Sequence, residues 1–130
     1  MGRRYSSNKL LGIAISLLAS TVSTYTLNGW HRYEVSAYSH GCIMPRSGKE
    51  SNHKHRGANG QWPIPNLTIA ADPSIPFGTV MELSYDGIIT KREVGDRGEA
   101  IKGNRIDLFV ETCAKARQFG RKIIYGKVVA

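Results

Sequence analysis

Two carboxylates bracket the stretch of this sequence whose residue types best suit chemistry. Asp96 and Asp107 are joined by Arg97-Gly98-Glu99-Ala100-Ile101-Lys102-Gly103-Asn104-Arg105-Ile106, and Gly95 precedes them. The glycines allow tight turns or close approach of backbone to a ligand. Asp107 alternates with Ile106 and Leu108, so in a strand its side chain faces away from theirs. A carboxylate flanked by Ile106, Leu108 and Phe109 is expected to be partly desolvated, and burial raises a carboxyl pKa by disfavouring the charged form. An acid still protonated near neutral pH suits glycosidic-bond cleavage, where the leaving oxygen must receive a proton. The competing reading of each aspartate is a side chain that binds loop amides and holds a turn. Residue types alone leave both readings open.

The elements that must position these carboxylates are short strands. Tyr33 to Tyr38 alternates and is rich in aromatics, as a half-buried strand should be. Residues 39 to 66 are rich in Gly, Ser, Pro, Asn and His without periodicity, and a loop of that length in a small domain covers or lines a site, or is disordered. Leu67 to Ala71 predicts a buried strand stopped by Asp72-Pro73. Thr79 to Ser84 and Gly87 to Val94 predict a hairpin around Asp86-Gly87. Arg105 to Val110 and Ile123 to Val129 complete six strands. Between them Thr112 can cap a short helix that Gly120 ends. Such a pattern predicts a mainly β barrel or sandwich with one minor helix.

The chain has 130 residues, room for one compact domain. Of its 18 basic residues, Arg3, Arg4 and Lys9 lie at the N-terminus, and the 10 acidic residues all follow from Glu34; the net charge is +8 overall and +5 on residues 31–130. This balance favours anionic partners without choosing among them. No zinc-finger spacing or helix-turn-helix pattern is present and aromatics make up 8%, so no nucleic-acid partner is expected. Arg3, Arg4 and Lys9 precede the apolar run Leu10 to Leu18, the layout of an export signal. Residues 1–27 therefore predict a signal peptide or signal-anchor helix that contacts the membrane, with a buried core helix as the competing reading, and residues 28–130 the domain. The product is expected to be exported, periplasmic or anchored in the inner membrane. Cys42 and Cys113 form one disulfide or remain two buried thiols; the sequence does not decide. His40, Cys42, His53 and His55 match no familiar zinc spacing, and neither metal nor other cofactor is expected.

A resemblance adds to this reading. Ala71-Asp72-Pro73-Ser74-Ile75-Pro76-Phe77-Gly78-Thr79, followed by the run from Asp96 to Phe109, resembles the 3D domain family of lytic-transglycosylase-A-like proteins, named for three aspartates that match Asp72, Asp96 and Asp107. Phe119-Gly120-Arg121 and the closing strand also fit. The resemblance implies a small six-stranded double-psi β-barrel with a short helix, and an enzyme that cleaves peptidoglycan glycan strands. Asp107 would be the catalytic acid, with Asp96 beside it. Substrate contacts are expected from Asp72, Tyr38, Lys102, Asn104 and Arg105. Of these, Lys102 and Arg105 pair with muramyl or peptide acids, or are ordinary surface charge. Tyr38 lines the groove or fills the barrel, and Trp62 stacks on a sugar or packs over the core. Arg97 stands where the family usually has Thr or Val, and Glu99 where it usually has Gly. Asp96-Arg97-Gly98 resembles instead the rare-lipoprotein-A-like lytic transglycosylases, which share the barrel.

The reaction so implied is non-hydrolytic, leaving 1,6-anhydro-N-acetylmuramic acid ends. A small exported domain of this kind suits a phage lysis protein, and a monomer is expected. Two alternatives remain: a wall-binding or wall-loosening module without bond cleavage, and an inverting glycoside hydrolase on the same barrel.

Overall fold

The computed structural model describes residues 29–42 and 54–130, and the chain divides into two compact units, 1–32 and 33–130. The expected signal or anchor, residues 1–27, lies outside the described residues, as does His53. Among the described residues no helix is long and apolar enough to cross a membrane.

The strands are β1 (His31–Tyr38), β2 (Thr68–Ala70), β3 (Val80–Tyr85), β4 (Ile88–Asp96), β5 (Arg105–Phe109) and β6 (Lys122–Val128), with one helix, α1 (Cys113–Phe119), before β6. They close into a barrel in the order β1-β5-β2-β4-β3-β6. Two neighbouring pairs are parallel, β1 with β5 and β2 with β4, and the antiparallel β2–β5 pairing joins them. Alternation along the strands sends Val35, Ile69, Met81, Leu83, Val94, Ile106, Leu108 and Ile124 into one buried core. Full burial of such a side chain contributes about 1.5–3 kcal/mol.

Local chemistry explains the connections. Asp86 and Gly87 both take positive φ, 52° and 75°, the conformation a two-residue hairpin between twisted strands demands. At the start of α1 the Thr112 side chain accepts a hydrogen bond from the Lys115 amide, and at its end Gly120 (φ 68°) donates its amide to the Ala116 carbonyl. Cys113 of α1 is bonded to Cys42, in a 3₁₀ turn over His40–Cys42, so the two thiols left open by the sequence are one disulfide.

Two boundaries differ from expectation in ways that matter for the site. β2 is three residues rather than five: the Leu67 amide turns back to the Ile64 carbonyl, and the Ala71 carbonyl accepts from the Arg97 side chain. β4 runs past Val94 to Asp96, because Ala70 of β2 gives it a parallel partner there, with the register shifted between Ile69 and Ala70. Asp96 is thus the last residue of a strand, not the first of a loop.

Candidate active site

Register brings the two carboxylates to one place. Ala70 pairs with Asp107 on one side and with Asp96 on the other. Both aspartates therefore flank the same methyl group on the outward face of the sheet, about two strand spacings apart, roughly 10 Å between backbones. Ala70 is buried, 3% exposed. No sequence signal marks this alanine.

Asp107 is half-buried on β5, opposite Ser36 of β1. The Ser36 hydroxyl donates to Asp107 Oδ1 at 2.9 Å and in turn accepts from Arg105 Nη2 at 3.1 Å. Burial pushes the Asp107 carboxyl above its ordinary value; the Ser36 bond and the Arg105 charge oppose this, and the negative charge of Asp96 adds to it. No sequence signal marks Ser36 either. Only the parallel β1–β5 register, which spans 71 positions, places it there.

Asp96 is more fully engaged. Its Oδ1 accepts from the amides of Ala58 and Arg97, both at 2.9 Å, and its Oδ2 accepts from the Tyr38 hydroxyl at 2.6 Å. Burial, then this bond, raises the Tyr38 pKa and keeps the phenol protonated. The Tyr38 ring leans on Phe109, which leans on His40, with centroids 5.3 and 4.9 Å apart. Tyr38 thus reaches from β1 to β4, past β5 and β2 in the sheet order. The Ala58 contact shows the long loop reaching the site, the role its length suggested.

The other expected contacts are spread more widely. Asp72 ties two loops together: Oδ1 accepts from the Ser74 amide at 2.8 Å and Oδ2 from the Gly103 amide at 2.6 Å. Hydrogen bonds from the Ser74 side chain and then the Gly103 amide hold its pKa down at about 2. Arg105 is oriented by Ser36 beside Asp107, and its buried Nε has no protein partner. Lys102 is exposed, with Nζ donating to the Gly98 carbonyl at 3.3 Å, and Asn104 is exposed, its carbonyl accepting from the Glu34 amide. Arg97 is a structural residue. It donates to the carbonyls of Ala71 and Ile75 and lies 4.1 Å over the Phe77 ring, which staples the Asp72 loop to the end of β4. Trp62 is half exposed under the Arg56 guanidinium, on the edge of a cleft of about 620 Å³ that His40, Lys54, Phe109 and Glu111 also line. Among the described residues no group of three His, Cys, Asp or Glu could hold a metal, and Cys42 is taken up in the disulfide.

Residues 67–130 match the family model described as the 3D domain, a stretch that contains Asp72, Asp96 and Asp107 and strands β2 to β6. Residues 67–130 belong to the 3D domain family. The SPbeta prophage-derived uncharacterized protein YorM of Bacillus subtilis is 31% identical over 93 residues, which are 71% of this chain and 39% of that protein. The chain therefore spans about two fifths of that relative's length. MltA from Escherichia coli, a lytic transglycosylase, has the same fold over 63% of this chain and 29% of its own, with 21% identity and a TM-score of 0.53. One MltA structure holds bound chitohexaose. The Streptomyces papain inhibitor matches 79% of this chain and 96% of its own, at 18% identity and a TM-score of 0.56. At these identities the likeness is one of fold, so the 3D domain's chemistry must be argued from its side chains.

Proposed function

We propose that this chain is a peptidoglycan-cleaving lytic transglycosylase in which Asp107 is the catalytic acid. The observation that carries the reading is the half-buried Asp107 carboxyl, raised in pKa by burial, held by the Ser36 hydroxyl and set level with Asp96 across the buried Ala70. Asp107 protonates the oxygen between N-acetylmuramic acid and N-acetylglucosamine. The bond breaks and positive charge develops on the muramyl ring. The ionised Asp107 then removes the proton of the muramyl 6-hydroxyl, whose oxygen closes the 1,6-anhydro ring. No water is added and Asp107 ends protonated, ready for the next cut.

Three donors already occupy Asp96, which favours this course over one that uses Asp96 to activate water. Asp96 then supports the acid by its charge, while Arg105 and Lys102 meet acidic groups of the wall and Tyr38, Asn104 and Asp72 shape the groove. The 3D family match and the MltA fold support a glycan substrate, and the crossing of two parallel strand pairs supports the double-psi form of barrel. The disulfide and the basic-then-apolar N-terminus support an exported protein, periplasmic or held at the inner membrane. The prophage origin of one relative supports a phage link, to which a role in lysis would belong. A monomer suffices, since Asp107, Ser36 and Asp96 belong to one barrel.

The test is digestion of purified sacculi with the full chain, followed by mass analysis of the fragments before and after borohydride treatment. Anhydro ends, which gain no water and resist reduction, are the expected product. Reducing ends would make the protein a hydrolase. Binding to sacculi without release of fragments would make it a wall-binding module.

A further inference from the structure

The barrel interior is not filled at the end where β3 turns into β4. A cavity of about 200 Å³ opens there between side chains of five strands and the end of α1, among them Leu83, Leu108, Ile124 and Phe119. Its rim is apolar: Ile88 is 63% exposed and Tyr85 40%. Val35 and Leu108 point into it from the same strands that carry Ser36 and Asp107, which point the other way, so this space lies on the opposite face of the sheet from Asp107.

One basic residue lines this apolar space. Arg92 shares its face of β4 with Thr90 and the buried Val94 and pairs with the core residue Met81, so its side chain takes an inward position. Its Nη1 donates to the Lys91 carbonyl at 3.0 Å, while its buried Nε has no hydrogen-bond partner. Among the described residues no carboxylate forms an ion pair with it; Asp86, at the hairpin tip, contributes only to the cavity wall. Desolvation lowers the Arg92 pKa from its ordinary value. Arg92 is half-buried, and its buried Nε lacks an acceptor that a ligand entering the cavity could supply. A carboxylate fits that need, since it matches the planar fork of arginine with two parallel hydrogen bonds.

We infer that this cavity is a second ligand site, for a small amphiphilic carboxylate whose head meets Arg92 and whose apolar body lies against Leu83, Leu108, Ile124 and the Ile88 rim. The volume is below the range of about 300–1,000 Å³ typical of sites for drug-sized molecules, which limits the body to a short chain or a single ring.

Hexanoate is a suitable probe. It would be titrated into the full chain while amide resonances are followed by NMR, with acetate and hexanol as controls for head and tail. Saturable shifts clustered at residues 83–92, Leu108 and Ile124 are expected, with binding by hexanoate at least about tenfold tighter than by either control. Arg92→Gln should weaken hexanoate binding by a similar factor and leave hexanol unchanged. Should that variant fold poorly, the comparison of hexanoate with hexanol on the unaltered protein still decides. Equal binding of hexanol, undiminished binding by Arg92→Gln, or no shifts on β4 would each overturn the inference.

Discussion

At the scale of single residues the site sets stability against function. The Asp107 carboxyl has a raised pKa in the folded state, with burial as the largest cause. Between its ordinary value, about 3.9, and the raised one, the folded protein binds the proton more tightly than the unfolded chain does. Stability from this group is therefore present at low pH and lost as pH rises through that window. Asp107→Asn removes the buried charge and keeps an oxygen for the Ser36 hydroxyl. It should melt at or above the wild-type temperature at pH 7, yet lose at least about 10²-fold in sacculus cleavage, the usual scale of general acid catalysis. A variant that melts normally and retains a tenth of the activity would remove Asp107 from the chemistry. Asp96 acts on the same titration, since its charge helps keep Asp107 protonated. The active form carries that proton, so the alkaline limb of the pH–rate profile reports its loss. Asp96→Asn lowers the Asp107 pKa and should move this limb to lower pH; an unmoved limb would leave Asp96 only its structural bonds to Tyr38, Ala58 and Arg97.

At the scale of elements, the loop before β2 is seated on the end of β4 at very short range. A Cβ added to Gly57 would come 2.6 Å from the Gly95 carbonyl oxygen, which already accepts the Asn59 amide. Gly57→Ala should push this loop outward, withdraw the Ala58 amide from Asp96 and reduce cleavage more than it reduces stability. Hydrogen exchange at Ala58, faster in the variant, is the direct check. Which elements exist was legible in the sequence: alternation marked the strands, Asp86-Gly87 the hairpin, Thr112 and Gly120 the helix ends. These signals are local, and local chemistry governs the features they announce. The register of parallel strands is not local. Ala70 between the aspartates, Ser36 under Asp107 and the extension of β4 to Asp96 all follow from pairings between distant segments. Asp72 and Arg97 stood out by type, but their loop-holding contacts emerge only when the two loops meet.

At the scale of the whole molecule, one covalent link spans much of the domain. Cys42 follows β1 and Cys113 begins α1, a separation of 71 residues that encloses β2 to β5. In the chain-entropy model, closing a loop of that length stabilises the fold by about 4 kcal/mol, through restriction of the unfolded chain. A domain of this size has a total stability of only about 5–15 kcal/mol, so the link is a large share of it. The double variant Cys42→Ser, Cys113→Ala should therefore lose about 4 kcal/mol in denaturant unfolding, and its melting temperature should fall by about 4–8 °C for each of them. The same disulfide ties the turn carrying His40 to the start of α1, and both border the cleft beside Phe109. Below its melting temperature the variant should thus also bind sacculi more weakly, with the pH profile of cleavage unchanged, because Asp107, Ser36 and Asp96 are held by strands rather than by the link. A shifted pH profile at full folding would instead show that the disulfide sets the geometry around the acid itself.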